Sequence, residues 1–118
     1  MGCGLFKPSL VIAGEKYNVM KEIGEGGFST IQLAENNRTK QKVAIKRITC
    51  HSIEDQNAAK FEIEVHKKHP HENILELLGS SIVGEADIVH NLTSKAFLVL
   101  PYYPAGTLHV RFSFASFN

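Results

Sequence analysis

A run of small residues separates two stretches of alternating apolar and polar side chains near the start of the chain. The run is Gly24-Glu25-Gly26-Gly27-Phe28-Ser29, and a Val-Ala-Ile-Lys segment ending at Lys46 follows it. Glycines lack a Cβ, so they permit a tight turn and let backbone N–H groups approach an anion closely. A lysine on a neighbouring strand reaches the same anion. The spacing therefore predicts a phosphate-binding hairpin rather than an ordinary surface turn.

The alternation on both sides of the glycines predicts strands rather than a helix. We expect strands over residues 17–23, 29–35 and 42–48, joined as an antiparallel sheet. A dinucleotide-binding loop would open a helix after its glycines, and a Walker loop would place Gly-Lys-Ser/Thr there. Ile31-Gln32-Leu33-Ala34 instead continues as a half-buried strand, so neither alternative is favoured.

One helix is predicted from its N-cap, Ser52, to about Lys68, before a His-Pro pair. Ala58, Glu62 and His66 recur at four-residue spacing, with Ala59 and Val65 beside them, so they share a face that we expect to point inward. A carboxylate on an inward face needs a partner, and the lysine of the Val-Ala-Ile-Lys segment is the natural one. Further strands are expected over residues 74–78 and 96–100, with a polar connection between them.

Other interpretations of this acid–base pair stay open. Glu62 is an ordinary surface glutamate in one of them, and Lys46 is a plain strand-edge lysine in another. Glu64 is the second candidate partner of the lysine, but it lies on a different face of the helix.

Composition narrows the class of protein. The 118 residues suffice for one small domain, with 43% hydrophobic residues, 21% charged residues and a net charge of +1. Acidic and basic residues are interspersed, so we expect no binding of nucleic acid. We also expect a monomer. Cys3 and Cys50 imply no disulfide framework, and no apolar run has the length of a membrane span. His66, His69 and His71 match no standard zinc spacing, so we expect no metal site.

The N-terminus carries two candidate lipidation sites. After removal of Met1, Gly2 is a candidate for myristoylation and Cys3 for palmitoylation. Two acyl chains anchor a protein stably, whereas one chain binds a membrane only marginally. An ordinary flexible terminus is the alternative, and we expect residues 1–16 to be flexible and lipidated.

The glycine run and the Val-Ala-Ile-Lys segment together resemble the start of a protein kinase domain. The resemblance covers residues 17–108. It implies an α+β fold, the kinase N-terminal lobe with a five-stranded antiparallel sheet and one regulatory helix. His71-Glu72-Asn73-Ile74 resembles a kinase turn from which counting back lands on Glu62. Ser29, in place of a third glycine, is typical of the Numb-associated kinases, and the Met-Gly start with an early cysteine resembles their acylated, Golgi-associated serine/threonine member.

This resemblance implies an ATP site that uses Mg-ATP. Lys46 would hold the α- and β-phosphates, Glu62 would orient Lys46, and Phe28 would cap the phosphates. Leu100 would be the gatekeeper behind the adenine ring, ahead of a hinge over residues 101–108. The ATP-binding residues implied in this way are Ile23, Gly24, Glu25, Gly26, Gly27, Phe28, Ser29, Ile31, Ala44, Lys46, Leu100, Pro101 and Tyr103.

Residues 109–118 depart from the kinase pattern and are expected to form a divergent tail. The sequence holds no His-Arg-Asp and no Asp-Phe-Gly motif, whose side chains serve proton transfer and magnesium binding in kinases. We therefore expect the ATP-binding small lobe of a membrane-anchored serine/threonine kinase that acts on proteins at the cytosolic face of Golgi or perinuclear membranes. With the large lobe absent, the chain by itself is expected to transfer no phosphate. The alternative is a non-catalytic module that competes with the full kinase for partners or membrane sites.

Overall fold

The computed structural model describes residues 8–68 and 76–102. Within these residues, six strands form one antiparallel sheet in the order β1-β2-β3-β4-β6-β5, and one helix packs on a face of it. The elements are β1 (Ser9–Ile12), β2 (Glu15–Gly26), β3 (Ser29–Asn36), β4 (Lys42–Cys50), α1 (Ile53–Lys68), β5 (Gly79–Val83) and β6 (Ser94–Pro101). The α+β architecture predicted from the sequence is confirmed, although the sheet has six strands rather than five.

The additional strand is β1, which lies within the N-terminal segment that was expected to be flexible. It pairs with the start of β2 through a tight turn at Ala13-Gly14. Both turn residues have positive φ, 52° and 83°, as a type I′ hairpin turn requires. Alanine is a poor signal for such a turn, which explains why the sequence did not reveal the hairpin.

The strand predicted over residues 74–78 is wrong in the described part of that range. Residues 76–78 lie outside any strand, and β5 begins at Gly79; residues 74 and 75 lie outside the described residues. Leu77 is apolar because it packs against buried residues of the neighbouring strands, not because it alternates in a sheet. The small, polar start of β5 forms a strand because its backbone pairs with β6.

The larger core lies on the face of the sheet opposite the helix. Alternate residues of β4 point to this face, and the curled sheet brings the β1–β2 turn close to β5. A Cβ added to Gly79 would lie 3.7 Å from the Cβ of Ala13. The buried residues of this core are Ile12, Tyr17, Ala34, Val43, Ile45, Phe97 and Val99.

Helix α1 begins where the sequence predicts. The Ser52 hydroxyl accepts a hydrogen bond from the Asp55 backbone N–H at 3.1 Å, and the Asp55 carboxylate accepts one from the His51 N–H at 3.0 Å. These bonds provide acceptors for backbone N–H groups that have no partner within the helix at its start. In the described part of the chain, no helix combines the length and the apolar character needed to cross a bilayer.

The buried face of α1 agrees with the predicted one at His66 and Ala59 and differs from it at Ala58. Ala58 is exposed, so its assignment to the inward face is wrong, whereas Ala59 is buried. The reason is the packing of small residues: Ala59 lies against Ala86 and Ala96 beneath the helix. The buried stripe of the helix consists of Gln56, Ala59, Ile63 and His66, with Glu62 half-buried beside it.

The opposite-face core should be sensitive to the loss of a single methyl group. Ile45 is fully buried, so Ile45→Val should lower the free energy of unfolding by about 0.5–1.5 kcal/mol, measured by urea denaturation. Ile88, which is 74% exposed, offers the same chemical change outside the core. Ile88→Val should change stability by less than about 0.5 kcal/mol. Equal effects of the two substitutions would contradict this description of the core.

Candidate functional site

The glycine run forms a two-residue hairpin turn between β2 and β3. Gly26 pairs with Ser29, which leaves Gly27 and Phe28 as the central residues. Gly27 has a φ of 56°, the left-handed conformation that glycine adopts without strain. The Ser29 hydroxyl donates a hydrogen bond to the Gly26 carbonyl at 2.9 Å and closes the turn. A Cβ added to Gly26 or Gly27 would meet no atom within 4 Å, so the turn leaves open space for an anion to approach.

The tip of this turn is tied to the end of β4. The Phe28 carbonyl accepts a hydrogen bond from the Thr49 N–H at 2.9 Å. The Phe28 ring, on a residue that is 68% exposed, meets the His51 ring edge to face, with 4.8 Å between the centroids. Sequence reasoning missed His51, because no pattern pairs an aromatic residue in a turn with a histidine beyond the next strand. The capping role of Phe28 stays a prediction.

The structure brings Lys46 and Glu62 together. Lys46 lies in the middle of β4, between Ile31 of β3 and Leu98 of β6, and is only 3% exposed. Its Nζ atom lies 2.6 Å from the Oε2 atom of Glu62 on α1. Glu64, the other candidate partner, is exposed. A buried ammonium group is costly unless a charged or polar partner compensates for the lost water, and the Glu62 carboxylate provides that compensation.

An apolar cluster lies on the same face of the sheet as Lys46. Ala44 of β4 pairs with Leu100 of β6, and both are buried. Three partly buried residues pack against them, namely Ile31, Leu77 and Tyr102. The cluster therefore unites three residues that the kinase resemblance assigned to ATP binding, Ile31, Ala44 and Leu100. Leu77 and Tyr102 were missed, Leu77 because it was assigned to a strand and Tyr102 because its neighbours matched the expected hinge positions.

The other predicted site residues that the structure describes lie on the β2–β3 hairpin and at the end of β6. Ile23 lies at an irregularity of β2, after which Gly24 pairs with Ile31 and Glu25 pairs with Thr30. This extra residue sets Gly24 directly beside Ile31: a Cβ added to Gly24 would lie 3.6 Å from the Ile31 Cβ. Pro101 is the half-buried last residue of β6. Gly2, Cys3 and Tyr103 lie outside the described residues, as do the predicted tail over 109–118 and His69 and His71.

The arrangement suits a ligand that has an anionic end and a flat apolar end. The open glycine turn and the Lys46 ammonium group offer donors to an anion, while Ala44 and Leu100 offer an apolar surface two residues farther along the paired strands. Within residues 8–68 and 76–102, no group of three or more His, Cys, Asp or Glu side chains is placed to hold a metal ion.

Comparisons with known proteins agree with this geometry. The model of the family described as "Protein kinase domain" matches residues 17–116, past residue 108, where the resemblance was expected to end. The chain is 36% identical to serine/threonine-protein kinase 16 of Mus musculus over 106 residues. This aligned region covers 90% of this chain and 33% of that protein. The chain is 33% identical over 106 residues to the Homo sapiens protein of the same name, with the same coverage.

A protein of Dictyostelium discoideum, named as a probable serine/threonine-protein kinase, is 41% identical over 98 residues, which is 82% of this chain and 25% of that protein. The chain thus spans between 25% and 33% of the length of these three curated relatives.

The ion pair should contribute to stability. Glu62→Gln keeps the size of the side chain but removes the negative charge beside a buried ammonium group. We expect the free energy of unfolding to fall by about 1–3 kcal/mol, measured by chemical denaturation. Glu64→Gln makes the same change at an exposed position and should cost no more than about 1 kcal/mol. A larger effect at Glu64 than at Glu62 would contradict the assignment of the Lys46 partner.

Proposed function

This chain belongs to the protein kinase family, and we propose that it binds ATP as part of a protein serine/threonine kinase. The observation that carries this proposal is the buried contact of 2.6 Å between Lys46 and Glu62. This ion pair lies on the face of the sheet that also carries the cluster around Ala44 and Leu100, and the open glycine turn lies at the other end of that face. The names of the similar proteins support serine/threonine specificity and protein substrates.

In this proposal each group has one task. The Lys46 ammonium group donates hydrogen bonds to the α- and β-phosphates, and Glu62 holds that ammonium group in place. Backbone N–H groups of the glycine turn contact the phosphates, where the absence of Cβ atoms permits close approach. Ala44 and Leu100 cover the adenine ring, because a flat, weakly polar ring favours contact with apolar side chains.

The site supplies only part of what phosphoryl transfer requires. Magnesium, when bound, neutralises phosphate charge in this family, and an aspartate accepts the proton of the substrate hydroxyl. Residues 17–102 supply the buried cation and the open turn, and we assign the magnesium ligands and the catalytic aspartate to segments beyond them. We propose that the 118-residue chain by itself binds nucleotide weakly and transfers no phosphate.

We also propose membership of the Numb-associated branch and dual acylation at Gly2 and Cys3. The support is the Gly-Glu-Gly-Gly-Phe-Ser form of the turn, with Ser29 in place of a third glycine, and the Met-Gly-Cys start of the sequence. Two acyl chains would hold the protein at the cytosolic face of a membrane. The Golgi or perinuclear setting follows from the resemblance to the acylated member of that branch.

ATP should perturb a defined set of backbone amides in this chain. In ¹⁵N–¹H spectra of the labelled chain, we expect the largest ATP-dependent shifts at Gly24, Gly27 and Ala44, since these lie on the proposed site. Lys46→Met should weaken the fitted affinity by about tenfold or more, because one charge-assisted hydrogen bond contributes about 1.5–3 kcal/mol. Lys42, an exposed lysine of the same strand, provides the matched control Lys42→Met, which should change the affinity by less than about twofold.

Two results of this titration would overturn the proposal. The first is a set of shifts that maps away from the glycine turn and the apolar cluster. The second is an affinity that Lys46→Met and Lys42→Met alter equally, since a non-specific attraction between ATP and surface lysines would behave in that way.

Acylation can be tested independently of nucleotide binding. In cells supplied with alkyne-tagged myristate and palmitate, the wild-type chain should incorporate both labels and sediment with membranes. Gly2→Ala should abolish the myristate label, and Cys3→Ser should abolish the palmitate label and release most of the chain to the soluble fraction. Cys50→Ser changes a buried cysteine in the same way and should retain both labels. Incorporation that survives both terminal substitutions would contradict the assignment.

A further inference from the structure

A buried amide attaches the beginning of α1 to the rest of the structure. Gln56 is 8% exposed, and its Oε1 atom lies 3.0 Å from the Ala86 backbone nitrogen and 3.0 Å from the Ser94 hydroxyl. A backbone N–H can only donate, so the amide atom that faces it must be the oxygen. One acceptor thus ties the helix both to the connection between β5 and β6 and to the first residue of β6.

The hydrogen bonds continue from this amide into the sheet. Ser94 is buried and pairs with Cys50, the last residue of β4. Burial raises the pKa of the Cys50 thiol, and a hydrogen bond with Ser94 opposes that increase. The side chains of Gln56 and Ser94 therefore join α1 to β6, and the backbone pairing of Ser94 with Cys50 connects this contact to β4. Solvent does not readily replace a partner lost at such a site, so each bond is costly to break.

Apolar contacts contribute little to fixing the orientation of the helix on the sheet at this end. Ala59 packs against the side chains of Ala86 and Ala96, which are small and bury little area. Among the large apolar side chains of α1, Ile53 and Phe61 are exposed, and Ile63, one turn after Ala59, is buried. Since hydrophobic stabilisation scales with buried area and has no direction, the position of this helix depends strongly on the directional bonds of Gln56.

The same helix carries the partner of Lys46. Glu62 lies six residues after Gln56, a rise of about 9 Å along one continuous helix. The Glu62 carboxylate meets the lysine at 2.6 Å, and a hydrogen bond is lost once the two atoms separate beyond about 3.5 Å. A shift or rotation of α1 by about 1 Å is thus enough to break the pair.

We propose that Gln56 is a positioning residue of the nucleotide site. By binding the Ala86 N–H and the Ser94 hydroxyl, it fixes α1 at the height and rotation that bring Glu62 to Lys46. Gln56 contacts no nucleotide and acts only through Glu62. This inference rests on the proposed function, since it concerns how the ATP-binding lysine is held.

Two substitutions at Gln56 distinguish the effect of its hydrogen bonds from the effect of its side-chain volume. Gln56→Met keeps the length but removes the acceptor oxygen. Gln56→Glu keeps an oxygen that accepts from both donors, and its negative charge lies near the helix N-terminus, where it is favoured. Gln32→Met is the matched control, because Gln32 is a half-buried glutamine on the opposite face that accepts a hydrogen bond from Arg47 at 3.3 Å.

The readout is the ATP affinity of the folded chain, combined in a double-mutant cycle with Glu62→Gln. We expect Gln56→Met and Glu62→Gln each to lower the ATP affinity by about three- to tenfold. The double variant should have the same ATP affinity as whichever single variant binds ATP less tightly. Gln56→Glu and Gln32→Met should stay within about twofold of the wild-type affinity. A purely structural role would lower the melting temperature but leave the effect of Glu62→Gln unchanged.

The outcomes separate this inference from the function on which it rests. If Lys46→Met and Glu62→Gln leave ATP affinity unchanged, the proposed nucleotide site itself is wrong. If they weaken binding while Gln56→Met does not, or if the two effects simply multiply, Gln56 is not a positioning residue. Should Gln56→Met fail to fold, Ser94→Ala decides: a non-additive loss with Glu62→Gln supports the inference, and a multiplicative loss overturns it.

Discussion

The buried ammonium group of Lys46 is the constraint on which the rest of the site depends. It lies in the middle of the sheet at 3% exposure, so it requires a charged partner nearby. The partner, Glu62, comes from α1, which means that the helix must pack on the sheet at one height and one rotation. The register between β3, β4 and β6 fixes the other side of the contact. One ion pair thus makes the sheet, the helix and the site depend on each other.

The first turn of α1 makes two contacts that connect the elements around this pair. Asp55 in the first turn accepts a hydrogen bond from the His51 backbone, and the His51 ring contacts Phe28 at the tip of the glycine turn. The first turn of the helix is therefore connected through His51 to the glycine turn, while Gln56 binds β6. Movements of the glycine turn and of the helix are expected to be coupled through these contacts, although they lie far apart in sequence.

The sequence revealed the parts of this fold that rest on local periodicity. Patterns of apolar residues predicted four of the six strands of the described residues, and the capping residue Ser52 predicted the start of the helix. It did not reveal what depends on long-range contact. Helical spacing placed Ala58 at the centre of the buried face with Ala59 beside it, but close packing of Ala59 on other alanines sets the rotation of the helix and leaves Ala58 exposed. The polar start of β5 also lacks a strand pattern, because its pairing is determined by the backbone of β6.

The most direct test of the account is a crystal structure of the chain with a non-hydrolysable ATP analogue. The account predicts phosphate oxygens within about 3.2 Å of the Lys46 ammonium group, the adenine ring over Ala44 and Leu100, and Glu62 still bonded to Lys46. A nucleotide bound elsewhere, or one bound at the glycine turn with Lys46 directed away from its phosphates, would contradict it.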